Sequence, residues 1–170
     1  LATKLTGRYI EIEMFPLNFR EFLEMKKFLG KSVDSNLSAE FNEYIRYGGF
    51  PKVLEFDRPD DKDLYVKGVI DQILSKDVVG HRIIKNKVVF DRVMTYVINN
   101  FGATTSLSSI VDYMEKQEKI SVKTETLNKY LDILEKAKII YKCPRFDIKS
   151  KKSLRGEQKY YLADLGIYFA

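Results

Sequence analysis

Residues able to carry chemistry are few in this sequence, and most of them are basic. His81 is the only histidine and Cys143 the only cysteine, so any Ser–His or Cys–His dyad must use His81. It sits in GHRII with no base or orienting partner implied, and it reads as a structural or surface residue. Cys143 falls on an expected strand beside Pro144, where packing of a small side chain is a simpler role than a reactive thiol. A single cysteine excludes an internal disulfide and fits a reducing cytoplasm. Asp60, Asp61 and Asp63 form an acidic run, but no Gly-bearing calcium loop or closing Glu follows at the required offset. They are expected to serve the start of a helix, where carboxylates complement the dipole. The chain has no GxxxxGK[ST], GxGxxG or GxSxG segment and no metal-spaced Cys/His cluster. No catalytic residue and no metal ligand is assigned.

The basic residues are concentrated late in the chain. Between Lys142 and Lys159 there are seven basic and two acidic residues, a local excess equal to the net charge of +5 carried by the whole chain. Two readings stay open for the loop KSKKSLRGEQK. As a wing on duplex DNA it would set Lys149, Lys151, Lys152 and Arg155 beside phosphates. The helix before it would then lead into the major groove with Lys123, Thr124, Thr126 and Lys129. As a solvated turn it needs no partner, because loops are polar and edge lysines discourage strand pairing. The helix is nearly neutral, and Glu125 near its start faces phosphate unfavourably.

The elements that must position these residues follow from apolar spacing. RYIEIEMFPL partly alternates and is expected to be a strand closed by Pro16. NFREFLEMKKFLG places Phe19, Phe22, Leu23, Met25 and Phe28 on a helical stripe, with Asn18 as N-cap and Gly30 as stop. SAEFNEYIRYGGFP predicts a second short helix ended by Gly48, Gly49 and Pro51. Beyond the linker-like FDRPDDKD, the residues Leu64, Val66, Val69, Ile70, Ile73 and Leu74 mark a longer helix. A helix then presents Val89, Phe90, Val93, Met94, Val97 and Ile98 inward and ends by Gly102. The next is capped by Thr105 or Ser106 and carries Leu107, Ile110, Val111 and Met114. The third, capped by Ser121, repeats Leu127, Tyr130, Leu131, Leu134 and Ala137. IIYKCPRFDI and QKYYLADL alternate like paired strands. Three helices followed by a hairpin is the order of a winged helix-turn-helix.

The fold class expected is therefore α+β and predominantly α, a helical lid-like segment followed by a winged helix-turn-helix. At 170 residues, 45% hydrophobic and 31% charged, the chain can build one sizeable core or two small lobes. No uncharged apolar run is long enough to span a membrane. The opening LATKLTGRYIEIEMF lacks signal-peptide features and reads as a chain entered in mid-fold.

LTGRYIEIEMFPLNFREFL, YIRYGGFPKVL, ILSKDVVGHRII and TLNKYLDILEKAKIIYKCPRFDIKSKKS…QKYYLADLGI, taken in order, resemble the prokaryotic AAA-type P-loop ATPases that carry a DUF4143 region. The resemblance covers almost the whole chain. It implies a middle excerpt, with Walker motifs upstream of Leu1 and a nuclease-like domain downstream of Ala170. Residues 1–58 would then be the end of the ATPase core and lid, 59–84 a linking helix and 85–170 the winged-helix domain. ATP and Mg would be cofactors of the intact protein only. Arg8 matches the family's Gly-Arg and would sense a γ-phosphate or act as a finger, or else pair with Glu11 or Glu13. Arg82 is a second such candidate. Asp164 matches the family's Y-x-x-D-x-G, where it is expected to form a turn before Gly166.

On this reading the winged helix contacts duplex DNA or a partner protein under control of the nucleotide state of the missing core. The alternative is a protein-interaction or self-association module with no nucleic-acid role. A free-standing winged-helix regulator is disfavoured, because the amino-terminal third would have no purpose. Lacking a phosphate-cradling loop, the isolated chain is expected to have no ATPase activity and no tight ATP affinity. Titration calorimetry should give no saturable micromolar isotherm with ATP.

Overall fold

The computed structural model describes residue 10 and residues 12–75, 84–149 and 152–170, with the backbone alone described over 152–155. The fold is α+β, mostly helical, with one small three-stranded antiparallel sheet. Among the described residues no helix is long and apolar enough to cross a membrane.

Each amino-terminal helix begins where its sequence offers an acceptor or a proline. Asn18 opens α1 (Phe19–Phe28) through a reciprocal capping box. Its Oδ1 accepts from Glu21 N at 3.0 Å, and Glu21 Oε2 accepts from Asn18 N at 2.8 Å. α2 (Leu37–Tyr47) starts at Asn36, whose side chain accepts from Ser38 N, and a 3₁₀ turn over Pro51–Glu55 follows it. α3 (Pro59–Ile73) has proline in its first turn with Asp60 and Asp61, so these carboxylates face the helix's positive end. Among the described residues no group of His, Cys, Asp or Glu is placed to hold a metal.

The apolar stripe of α1 is narrower than its sequence suggests. Phe22 is fully buried against Tyr44, whereas Phe28 faces solvent and Lys26 takes the buried place instead. Lys26 Nζ donates to Glu40 Oε2 at 2.6 Å and to Glu43 Oε2 at 2.9 Å, and Lys62 donates to the other oxygen of Glu43. Burial works against the Lys26 charge, but the bonds to Glu40 and Glu43 outweigh it and hold its pKa above the ordinary value. Helical spacing could not foresee a buried lysine whose partners lie 14 and 17 residues further on.

The remaining helices are α4 (Lys87–Asn99), α5 (Leu107–Lys116) and α6 (Thr124–Lys136). Asn86 caps α4, and Ser106 rather than Thr105 caps α5. α6 starts two residues later than Ser121 would place it, with Lys123 at the cap and no side-chain hydrogen bond there. β1 (Thr104–Thr105) and β2 (Ile140–Asp147) flank the central β3 (Lys152–Leu162), and α7 (Gly166–Phe169) ends the chain. Tyr141 stands opposite Tyr161, and Cys143 and Thr104 both stand opposite Lys159. The β2–β3 register slips between Pro144 and Phe146, where Pro144 has no N–H to give the ladder.

One apolar core gathers these elements. Val93 and Val97 of α4, Ile110 and Met114 of α5, Leu127, Leu131 and Leu134 of α6, Ile140 and Tyr160 of the sheet and Ile167 of α7 are all buried in it. Ile70 of α3 reaches the same cluster, whereas the expected inward Leu64 is exposed. Phe90 and Tyr130 meet edge-to-face at 5.4 Å. Leu131 is 3% exposed, in the same core as Val93, Val97 and Ile110. Leu131→Ala should therefore cost about 2–5 kcal/mol in urea melts, against about 0.5 kcal/mol or less for the exposed Lys129→Ala.

Candidate functional site

A buried carboxylate joins the two ends of the described chain. Asp164 Oδ2 accepts from Gly49 N at 2.7 Å, and its Oδ1 accepts from Gly166 N at 2.7 Å. The two partners explain the glycines. Gly48 has φ +76°, and a Cβ there would fall 1.7 Å from Asp164 Oδ1. A Cβ on Gly49 would lie 2.1 Å from Leu17 O. Only glycine allows α2 to end this close to both. Burial raises the Asp164 pKa above its usual 3.8, and the two backbone N–H groups oppose that rise without cancelling it.

The same turn pins an extended segment. Leu17 N donates to Gly49 O at 2.8 Å, and Tyr44 Oη donates to Leu17 O at 3.0 Å. Further back, Glu13 pairs with Lys138, and the Phe15 ring lies 6.1 Å from that of Tyr141. Glu13 and Phe15 thus each contact the body of the protein, with Phe15 still 61% exposed. The intervening apolar residues do not: Ile10, Ile12 and Met14 are 90%, 79% and 87% exposed. The alternation expected of a strand is present, yet among the described residues Ile12–Phe15 join no hydrogen-bonded ladder. A strand needs a neighbour, and the sequence alone could not say that none of these elements supplies it.

The residues expected to touch DNA lie on two separate elements. Lys123, Thr124 and Lys129 are exposed on α6, and Thr126 is half-buried. Lys149 is exposed in the β2–β3 turn, with its backbone N–H donated to Asp147 Oδ1 at 3.2 Å. Lys152 and Arg155 are on β3, with side chains outside the described set. Lys151, Arg8, Arg82 and His81 all lie outside the described residues. Glu125 shares the first turn of α6, and Arg145 is paired to Glu157 at 3.2 Å. Cys143 is exposed, not packed as expected, because its place opposite Lys159 puts it on the outer face of the sheet.

The sequence reading missed what Asp164 and the glycine pair do together. Its signal was present in GGFP and Y-x-x-D-x-G, each read as a local stop or turn, but their partnership spans 115 residues. Gly48→Ala should destabilise the fold by at least about 2 kcal/mol, as its Cβ must displace the carboxylate. Asp164→Asn should cost about 1–3 kcal/mol by turning one acceptor into a donor against a buried N–H. The pH dependence has a definite sign. With its folded pKa above 3.8, Asp164 favours the folded state most in acid and loses that contribution as pH rises through the raised value. The gap between wild type and Asp164→Asn should accordingly narrow as pH rises from about 4 in urea melts. Glu43 acts oppositely. Burial opposes its charge, but Lys62 and Lys26 hold its pKa below 4.5, so its contribution fades as pH falls.

Comparison with known proteins corrects the family assignment. Over residues 38–170 the sequence matches the family described as "Domain of unknown function (DUF8612)". An uncharacterised protein of Haemophilus influenzae is 35% identical over 170 residues, covering 98% of this chain and 41% of the relative. An uncharacterised protein of Methanocaldococcus jannaschii is 32% identical over 156 residues, covering 89% of this chain and 35% of the relative. The chain spans well under two thirds of either. The resemblance to AAA-type ATPases with a DUF4143 region is overturned by these matches, none of which is described as an ATPase. With it fall the expected ATP-binding core and a winged helix controlled by nucleotide state. The physical reason is visible in the structure. YIRYGGFPKVL and Tyr161–Gly166, which carried much of the resemblance, meet backbone requirements of the Asp164 junction. Matched from the first turn of α2 through α7, the chain belongs to the DUF8612 family.

Proposed function

We propose that this chain is a docking unit, which presents its extended segment as a strand to another folded part of a longer polypeptide. The observation that carries this reading is the exposure of Ile10, Ile12 and Met14 along a segment whose opposite side is fastened by Glu13 and Phe15. An apolar row of this kind, whose backbone joins no ladder among the described residues, favours addition to a sheet edge. The occupant is argued from length. The two relatives carry more than half of their sequence beyond the matched part, which is enough for a further folded body.

The order α4, β1, α5, α6, β2, β3 supports a winged helix-turn-helix reading of residues 85–166, with β1 as the short strand beside the hairpin. A protein partner is better supported than duplex DNA. The exposed or half-exposed side of α6 mixes Lys123, Lys129 and Lys136 with Glu125, Asp132 and Glu135, which gives phosphate no consistent sign to meet. The single cysteine supports a reducing compartment such as the cytoplasm.

Hydrogen exchange tests the proposal in the Haemophilus influenzae relative. Amides in the stretch corresponding to Ile10–Phe15 should exchange at least about 100-fold more slowly in the whole polypeptide than in the matched region alone. Substituting Lys for the residue equivalent to Ile12 should abolish that protection while changing the stability of the matched region by no more than about 0.5 kcal/mol. Equal exchange in the two polypeptides would refute docking through this segment.

A further inference from the structure

The outer face of the sheet holds a second feature, distinct from the docking segment. Cross-strand register places Tyr141 beside Tyr161, and Cys143 and Thr104 on either side of Lys159, all on one face, because residues two apart on a strand point the same way. The opposite face carries Ile140 and Tyr160 into the core. At the register slip the strands part, and a cleft of about 450 Å³ opens there. Its walls include Thr104, Cys143, Arg145, Glu157, Lys159 and Tyr161, so an aromatic ring borders it and its one carboxylate, Glu157, lies on the same strand as Lys159. Irregular pairing of this kind is over-represented at sheet edges and next to functional sites, where it re-aims side chains.

Charge in the cleft is asymmetric. Arg145 is satisfied by Glu157 at 3.2 Å. Lys159 is half-buried, and among the described residues its ammonium has neither a hydrogen-bond nor an ion-pair partner. Its nearest cross-strand neighbours, Thr104 and Cys143, carry no negative charge to answer it. Tyr161 is 43% exposed, beside the buried Tyr160 on the same strand. An exposed aromatic ring and one unanswered cation together select a ligand with a flat ring and a nearby anion.

We infer that this cleft binds a nucleobase together with its adjacent phosphate, the base against Tyr161 and the phosphate on Lys159. Two sources share that chemistry: a free nucleoside monophosphate, and an unpaired nucleotide within a single strand. The mode differs from duplex reading by α6, since stacking on a sheet face requires bases that are already unpaired.

Anisotropy titration of the 170-residue chain with fluorescein-labelled dT12, at several salt concentrations, tests this inference, with dTMP in competition. Saturable dT12 binding is expected. Tyr161→Ala should weaken it by about tenfold or more, and Tyr161→Phe, which keeps the stacking ring, should stay within about threefold of wild type. Lys159→Ala should weaken it and lower the slope of log K against log salt by about 0.7. Lys142→Ala removes the same charge from an exposed position outside the cleft and should change affinity by no more than about twofold. Thermal melts of all four variants exclude unfolding as the cause. Competition by dTMP at concentrations comparable with dT12 identifies the free nucleotide as the source, and competition only by oligomers identifies a single strand. Four results overturn the inference: no binding of either probe, equal losses from Lys142→Ala and Lys159→Ala, tighter binding of a 12-base-pair duplex than of dT12, or capture of a polyglutamate peptide in place of dT12.

Discussion

Asp164 is the interaction on which the arrangement of the other elements depends. Its two carboxylate oxygens are each held by one backbone N–H, from Gly49 at the end of α2 and from Gly166 at the start of α7. That bond pair fixes where α2 stops relative to α7, and α7 in turn packs on α2, α3 and α4. Leu17 is then set by Gly49 and Tyr44, so the direction of the extended segment is decided by the same turn. A small buried acceptor can do this because a hydrogen bond in a low-dielectric interior is directional and costly to leave unmade. Apolar packing alone would tolerate a slide of the helices, and this junction does not.

The helical amino-terminal part uses a second polar device. Lys26, Glu40, Glu43 and Lys62 tie α1, α2 and α3 together, and every charge in the group has a partner of opposite sign. Buried ion clusters add little net stability, because desolvation offsets their attraction. Their geometry is demanding, however, and it decides which faces of three short helices meet. Asp34 N extends the network by donating to the remaining oxygen of Glu40 at 2.7 Å. Phe22, Val53 and Leu54 supply the apolar contacts around it. In the terminal part the helices are longer in their apolar stripes, and there hydrocarbon packing suffices.

Outside these two devices lie two exposed features of different chemistry. One is the row Ile10, Ile12, Met14, which is apolar and, among the described residues, joins no hydrogen-bonded ladder. The other is the outer sheet face, where an aromatic ring and an ammonium without a partner among the described residues border an open cleft. They differ in chemistry, so they suit different classes of ligand. Phe15 touches Tyr141 at the edge of that face, which places both features on the same flank of the sheet.

Local interactions explain what the sequence alone determined. The helix caps at Asn18 and Ser106, the glycine stops, the inward residues of α4, α5 and α6 and the β2–β3 hairpin are all set within a few residues of chain. Spacing and capping chemistry operate at that range, so they are legible without coordinates. The tertiary structure decided the rest, because it depends on partners far apart in sequence. Lys26 is buried and Phe28 is exposed only because Glu40 and Glu43 stand where α2 places them. Cys143 faces out because the register with β3 puts it opposite Lys159. Asp164 reads locally as a turn residue, and its grip on Gly49 exists only once 115 residues of intervening chain have folded back upon themselves.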